Sequence, residues 1–501
     1  MAWYNLGIRF GKKASAKKDQ KIQPALLEKN IAAYRRAAQA DPSDSDAWHN
    51  LGFYLGRKAD AETDESIRAD LIAQEIDSYR RAIRANANYS LPWFNLGIRF
   101  GQMADAEKDV AVRADLREQQ IEAYQRAAQA NPNHSLAWRN LGISFGKKEV
   151  AETDEKIRAD LRERQIEAYR RAVDADPNCA DAWNNLGSCL QKVIAEKDES
   201  IRAILREQQI EAYRQATRAD PHHSVAWCNL GRGLGQKADD ASEESVRADL
   251  REQEIEAYRR AVQADPNNSQ AWYDLGVRLG QKADGASEES VRADLREQAI
   301  EAYRRDVEAD PNHSEAWDDL GFRLGQKADG ASEESVRAEL REQEIEAYRR
   351  AVQADPNNSH AWNNLGISLG QKADGAGEES VRADLREQQI EAYRRAVQAD
   401  PNNSQAWNNL GFRLGHMGRD RGESRCFDEF LTVARKAADL GAGHYNLACA
   451  LALTGSWDEA FKELEGALAR GEIFREYVQT DPNWAHLRED PRLKAALVPG
   501  T

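Results

Sequence analysis

The chain has 501 residues, of which 31% are charged and 41% hydrophobic, with a formal net charge of −15. That balance argues against binding along a phosphate backbone, which needs clustered Lys and Arg, so no nucleic-acid partner is expected. No run of about 18 apolar residues occurs, so no membrane partner or span is expected either.

The opening phrase, "MAWYNLGIRFG", is already a variant of one that recurs along the chain. It contains no basic stretch followed by an apolar one, so no signal peptide is read there. The five cysteines (Cys179, Cys189, Cys228, Cys426, Cys449) are an odd number without metal-ligand spacing. They read as reduced thiols of a cytoplasmic protein.

Trp3, Trp48, Trp93, Trp138, Trp183, Trp227, Trp272, Trp317, Trp362 and Trp407 are separated by steps of 45 residues, with a single step of 44. Each opens W-x-x-L-G, and about thirty residues later comes "EAYRRAVQADPN" or a variant. Each unit reads as two helices. In 268–310 the first is expected from Ser269, as N-cap, to Lys282, with Trp272, Leu275, Gly276 and Leu279 on one stripe. "ADGAS" (283–287) is expected to break it, with Gly285 supplying backbone freedom. The second is expected from Ser287 to Ala309, where Asp310-Pro311 ends it. One such hairpin cannot cover its own apolar face, but stacked copies can.

These residues resemble the tetratricopeptide repeat, whose W-x2-L-G-x2-Y … A-x3-F … P signature spans about 34 residues. Trp272, Leu275, Gly276 and Leu279 fit its first half, and Tyr258, Ala261 and Pro266 fit its second half. The resemblance covers roughly residues 1–472. It implies an all-α fold: a right-handed α-α superhelix, or solenoid, of about eleven helical hairpins.

Three departures stand out. The small residue expected four before the aromatic is Asn30, Glu75, Gln120, Gln165, Gln209, Glu254, Glu344 or Gln389, and alanine only at Ala299. Ala87 stands where a proline belongs. Each long unit carries 11 extra residues, as in "SEESVRADLRE" (287–297), close to three helical turns. The addition holds an aliphatic pair four apart in every long unit: Ile22/Leu26, Ile67/Leu71, Val112/Leu116, Ile157/Leu161, Ile201/Leu205, Val246/Leu250, Val291/Leu295, Val336/Leu340 and Val381/Leu385. From this stripe the extensions are expected to pack on neighbouring extensions as a second ridge of core.

The long-repeat array is assigned to residues 1–415, shorter hairpins to 416–472 and a closing segment of bacterial type to 473–501. The first hairpin, having no such cap, is expected to fray.

Chemistry is scarce. The acids of "SEES" and "ADLREQEIEAYRR" recur in every unit, whereas a catalytic site is unique, so no enzyme is expected. His134, His313 and "PHHS" (221–224) lie at equivalent turns a full repeat apart, too far for one metal ion. Paired glycines such as Gly276/Gly280 and Gly321/Gly325 sit inside helices, which favours close helix–helix approach over a phosphate loop. No cofactor and no metal are implied.

The candidate site is the asparagine two after the tryptophan: Asn5, Asn50, Asn95, Asn140, Asn185, Asn229, Asn364 and Asn409, with Asn446 in the last hairpin. By resemblance, this position faces the concave groove, where an amide can hold the backbone of an extended peptide. The competing reading is that these amides simply cap or bridge neighbouring helices. Three residues on come Ile8, Phe53, Ile98, Ile143, Val277, Phe322, Ile367 and Phe412. Four on come Arg9, Arg99, Arg278, Arg323 and Arg413, able to take a partner's carboxylate or phosphate. Asp274 and Asp319 replace the asparagine and are expected to pair with Arg278 and Arg323 at i+4. The expected function is non-enzymatic binding of a protein or peptide partner in this groove. A self-assembling structural scaffold, or an accessory subunit of an enzyme encoded elsewhere, are the alternatives.

Overall fold

A computed structural model describes residues 24–194, 198–421 and 424–498. All regular elements among the described residues are helices, laid out as consecutive antiparallel hairpins. The chain divides into two compact units between Asp265 and Pro266.

In the first unit the helix Pro24–Ala40 is followed by the hairpins Ser45–Ala61/Glu65–Ala85, Ser90–Ala106/Val110–Ala130, Ser135–Ala151/Glu155–Ala175, Ala180–Ile194/Glu199–Ala219 and Ser224–Asp240/Glu244–Ala264. The second unit holds Ser269–Gly285/Glu289–Ala309, Ser314–Asp329/Glu334–Ala354, Ser359–Gly375/Glu379–Ala399, Ser404–Arg421/Ser424–Asp439 and His444–Leu453/Trp457–Ala469. It closes with the short helices Arg475–Thr480 and Pro491–Ala496 around a 3-10 turn, Pro482–Leu487. Residues 1–23, with the expected fraying of the first hairpin, lie outside the described residues.

Within each unit a helix packs first on its hairpin partner, then on the helix that follows, and weakly on the next but one. Among the described residues, the C-terminal cap reaches further. This neighbour-only pattern is what stacking of half-covered hairpins produces. The stripe read from the sequence is core: Leu275, Leu279 and Ala283 of one helix and Leu295, Ile300 and Tyr303 of the other are all buried. Each large apolar side chain so buried stabilises by about 1.5–3 kcal/mol. In the cap, Trp484 is fully buried and its ring lies 6.0 Å from that of Phe461.

Three local expectations are corrected. The first helix of the 268–310 unit continues through Gly285, with no positive φ there, and the break is the short segment 286–288. The N-cap is Asn268, whose side chain accepts from Ala271 N, rather than Ser269. The equivalent serines instead cross the hairpin: Ser224, Ser314 and Ser359 Oγ donate to the carbonyls of Ala261, Ala351 and Ala396 at 2.9–3.0 Å. Each hydroxyl is thereby a second donor to a carbonyl that already accepts from the residue capping the second helix, Asp265, Asp355 or Asp400.

The extensions do not form a ridge of their own. Second helices of successive hairpins meet through polar side chains, as where Arg304 Nη2 donates to Gln343 Oε1 at 2.9 Å and Arg349 Nη2 to Gln388 Oε1 at 3.2 Å. The leucine of each aliphatic pair turns into its own hairpin: Leu71 lies in one cluster with Leu55 and Ala59, and Leu385 in one with Leu369 and Ala373. The β-branched member stays exposed in the pairs from Ile67/Leu71 onward, while Ile22 lies outside the described residues.

The turns are fixed by the tryptophans. Trp48, Trp138, Trp183, Trp227, Trp272, Trp317, Trp362 and Trp407 each donate Nε1–H to the carbonyl of the proline six residues earlier, at 2.9–3.0 Å. Trp93, six residues after Ala87, makes no such bond.

Candidate functional site

The asparagines lie half-buried along the first helices, and most of them join one hairpin to the last. Asn229 Nδ2 donates to Asn184 Oδ1 at 2.9 Å, Asn364 Nδ2 to Asp318 Oδ1 at 3.0 Å and Asn409 Nδ2 to Asn363 Oδ1 at 2.9 Å. Asn95 Nδ2 donates to His49 Nε2 at 3.0 Å, and Asn446 repeats the pattern on Asn408 at 2.7 Å. The acceptor is the residue directly after the tryptophan of the preceding hairpin. Adjacent helical positions point about 100° apart, so one looks to the hairpin behind and the other to the hairpin ahead. Asn50 instead donates to Asp46 O at 2.8 Å, and Asn140 reaches the Tyr124 hydroxyl at 3.4 Å. Asn185 is half-buried, and Asn5 and Arg9 lie outside the described residues.

The bridging reading therefore holds for five of these amides. What the row leaves open is the stripe beside it. Phe53, Ile98 and Ile143 in the first unit, and Phe322, Ile367 and Phe412 in the second, are 36–50% exposed. Val277 is half-buried.

The ladder carries unusual acidities. Burial drives the His49 imidazole down to about 4, so it stays neutral and its Nε2 can accept from Asn95. Burial pushes Asp318 up to about 6, against the Asn364 bond that favours its charged form. Asp319 is also raised by burial and is held by the Tyr303 and Tyr273 hydroxyls.

Two of the arginines do something other than expected. Arg99 is buried, with Nε 2.7 Å from Glu75 Oε2 and Nη1 2.9 Å from Asp60 Oδ1 of the preceding hairpin. Arg323 is buried likewise, with Nη1 2.6 Å from Asp284 Oδ1. Neither offers its guanidinium to a partner, and the expected Asp319–Arg323 ion pair is replaced by these contacts. Arg278 and Arg413 are half-buried, and Arg278 donates to Gln281 Oε1 at 2.7 Å.

These arginines complete a device missed in the sequence. The second glycine of the first helix lies against the Glu or Gln that replaces the family's small residue. A Cβ on Gly325 would meet Glu344 Oε1 at 2.8 Å, and similar clashes join Gly56 to Glu75, Gly101 to Gln120, Gly146 to Gln165, Gly235 to Glu254 and Gly370 to Gln389. Large and small have changed places across the hairpin. The arginine three before usually answers the buried group: Arg341 Nη1 reaches Glu344 at 2.7 Å, Arg251 reaches Glu254 at 2.8 Å and Arg386 donates to Gln389 at 3.0 Å. Where that arginine is Ile72, Arg99 of the next hairpin serves Glu75. Burial still pushes Glu75 up to about 7, the Arg99 charge pulling the other way. Where the large residue is Ala299, Arg323 fills the space above Gly280. The signal was present: the glycines and the Glu/Gln departure were both visible, and one explains the other.

The histidines serve the turns. His134 Nδ1 lies 2.7 Å from Ser90 Oγ, His223 Nδ1 accepts from Ala226 N at 3.2 Å, and His313 Nδ1 lies 2.8 Å from the buried Asp306. Cys189, Cys228, Cys426 and Cys449 are buried and none of the five cysteines is in a disulfide; burial pushes Cys189 up to about 12. No His/Cys/Asp/Glu group suited to a metal ion occurs among the described residues. No helix among them is long and apolar enough to cross a membrane.

Comparison with known proteins agrees with the repeat reading. A family model for the tetratricopeptide repeat matches residues 166–192, and one for the protein prenyltransferase alpha subunit repeat matches residues 341–371. No curated protein matches the chain significantly. Among solved structures, the chain is similar to YrrB, described as a TPR protein with an unusual peptide-binding site, at 19% identity and TM-score 0.32, over 48% of this chain and 96% of that one. It is similar to a MamA structure at 17% identity and TM-score 0.31, over 46% of this chain and 96% of that one. A second MamA structure gives 19% identity and TM-score 0.28, over 41% and 96%.

Proposed function

Because the chain is a tetratricopeptide-repeat protein, we propose that it is a non-catalytic protein–protein interaction scaffold. The first-helix face takes an extended peptide segment or a helix of a protein partner. The observation that carries this reading is the stripe Phe322, Ile367 and Phe412, with its counterpart Phe53, Ile98 and Ile143. These side chains occupy one position in successive hairpins and stay out in solvent, although large exposed apolar patches mark binding surfaces. The flanking amides contribute whatever donor and acceptor capacity the ladder leaves, at a spacing set by the repeat. Specificity then comes mainly from apolar side chains seated on the stripe.

The test is selection of peptides from a displayed random library on the intact protein, followed by affinity measurement. Selected peptides should bind the parent and lose about tenfold or more on Phe322→Ser/Ile367→Ser/Phe412→Ser at unchanged helicity. Failure to select any peptide, or equal binding to the variant, contradicts the reading.

A further inference from the structure

The second helices begin with an apolar residue that the fold leaves uncovered. Ile67, Val112, Ile157, Ile201 and Val246 in the first unit, and Val291, Val336 and Val381 in the second, are 42–50% exposed. The leucine four residues later is 3–8% exposed in seven of these helices, and Leu205 is half-buried. Helix stability does not ask for Ile or Val here, because at an exposed position a β-branched residue is a poorer helix former than Lys, Glu or Gln.

Acids outnumber cations around this column. Glu288, Glu289 and Asp294 stand beside Val291, Glu333, Glu334 and Glu339 beside Val336, and Glu378, Glu379 and Asp384 beside Val381, all exposed. The arginine next to each valine is tied back. Arg292, Arg337 and Arg382 donate Nη2 to the turn carbonyls of Ala286, Ala331 and Ala376 at 2.7–2.8 Å. Their other nitrogens pair with only one of the acids in each turn, Glu289, Glu334 or Glu379. Between two successive extensions lies an open cavity of about 480 Å³ whose wall carries Glu289, Glu297 and Glu333, with Arg296 and Lys327, beside Val336.

We propose that this ridge of the second unit is a second docking surface, for a Lys/Arg-rich amphipathic segment of a protein partner. Its aliphatic side chains would sit on Val291, Val336 and Val381, and its cations would face the acids left unneutralised beside them. A second copy of this chain would set acid against acid, and an anionic membrane would meet the same repulsion. The surface lies on the second helices and is independent of the first-helix face.

The probe is a fluorescein-labelled amphipathic peptide of about 18 residues, five helical turns, built only of Leu and Lys, titrated into the full chain. Its control has Glu in place of Lys. The variant Val291→Gln/Val336→Gln/Val381→Gln keeps every acid, and circular dichroism confirms its fold. The Leu/Lys peptide should bind the parent, weaken about tenfold or more on the valine variant, and bind Phe322→Ser/Ile367→Ser/Phe412→Ser as it binds the parent. Equal affinity for the valine variant would reduce the effect to charge alone and overturn the proposal. So would equal binding of the Leu/Glu peptide, loss on the first-helix variant instead, or a concentration-dependent mass that the valine changes abolish.

Discussion

Gly280 and Arg323 occupy one space from two hairpins: a Cβ on the glycine would come within 2.5 Å of the guanidinium. The arginine fills the gap left because Ala299 stands where other hairpins carry Glu or Gln. Arg323→Ala should therefore open a void and leave Asp284 without its ion-pair partner, with only the Gln326 bond remaining. The expected loss is about 2 kcal/mol, below the full cost of breaking a buried pair because Asp284 is 46% exposed. Adding Ala299→Gln should recover part of it, read as the midpoint of guanidinium unfolding.

The glycines divide into two kinds, so the same substitution should act with opposite signs. Gly325→Ala drives a methyl into the Glu344 carboxylate and should destabilise by about 1–3 kcal/mol. Pairing it with Glu344→Ala, the family's small residue, should restore much of the loss. Gly285→Ala meets nothing within 4 Å and should stabilise by about 0.5–1 kcal/mol. Thermal unfolding of the three variants checks all of this.

The ladder predicts an acid sensitivity. His49 has an unfolded value near 6.5 and a folded value of about 4, so between these the unfolded chain binds the extra proton. Stability then falls as pH drops below 6.5, by on the order of 2 kcal/mol at pH 5 from this group. His49→Asn, the residue found at Asn184, Asn363 and Asn408, should flatten that part of the profile. An unchanged acid limb would contradict the assignment.

Asp306 and His313 predict the reverse slope. The Asp306 bond raises the His313 value, so its contribution is complete below 6.5 and is lost as pH rises through the raised value. Burial raises Asp306 as well, which also costs stability as pH rises. Asp306→Ala, matching Ala261 and Ala351, should remove both effects, and its gain over the parent should grow with pH in denaturant titrations.

Removing one rung should be felt as stability before it is felt as binding. Asn364→Ala breaks the bond to Asp318 and should cost about 1 kcal/mol. If the cost were nil while peptide binding vanished, the amide would serve the partner and not the stack.

Much of this was legible in the sequence. The 45-residue period, the stripe Trp272-Leu275-Gly276-Leu279 and the stop at Asp310-Pro311 rest on local propensity, and the helices follow them. What escaped lies between residues far apart in the chain. Arg99 looked available because periodicity fixes its azimuth but not what stands opposite, and Glu75 and Asp60 stand there. Val291 and Leu295 shared a stripe, yet only the leucine is buried. The asparagines were seen one at a time, whereas their acceptors lie 45 or 46 positions earlier.

The most direct test of the account is removal of one whole brick, residues 311–355, joining Asp310 to Pro356 at the equivalent point of the next repeat. If each hairpin buries its apolar surface only on its neighbours, the shortened chain should fold with the parent's helicity per residue and a modestly lower unfolding midpoint. Loss of helicity or aggregation on that deletion would show that distant hairpins hold one another in place, and the account would be wrong.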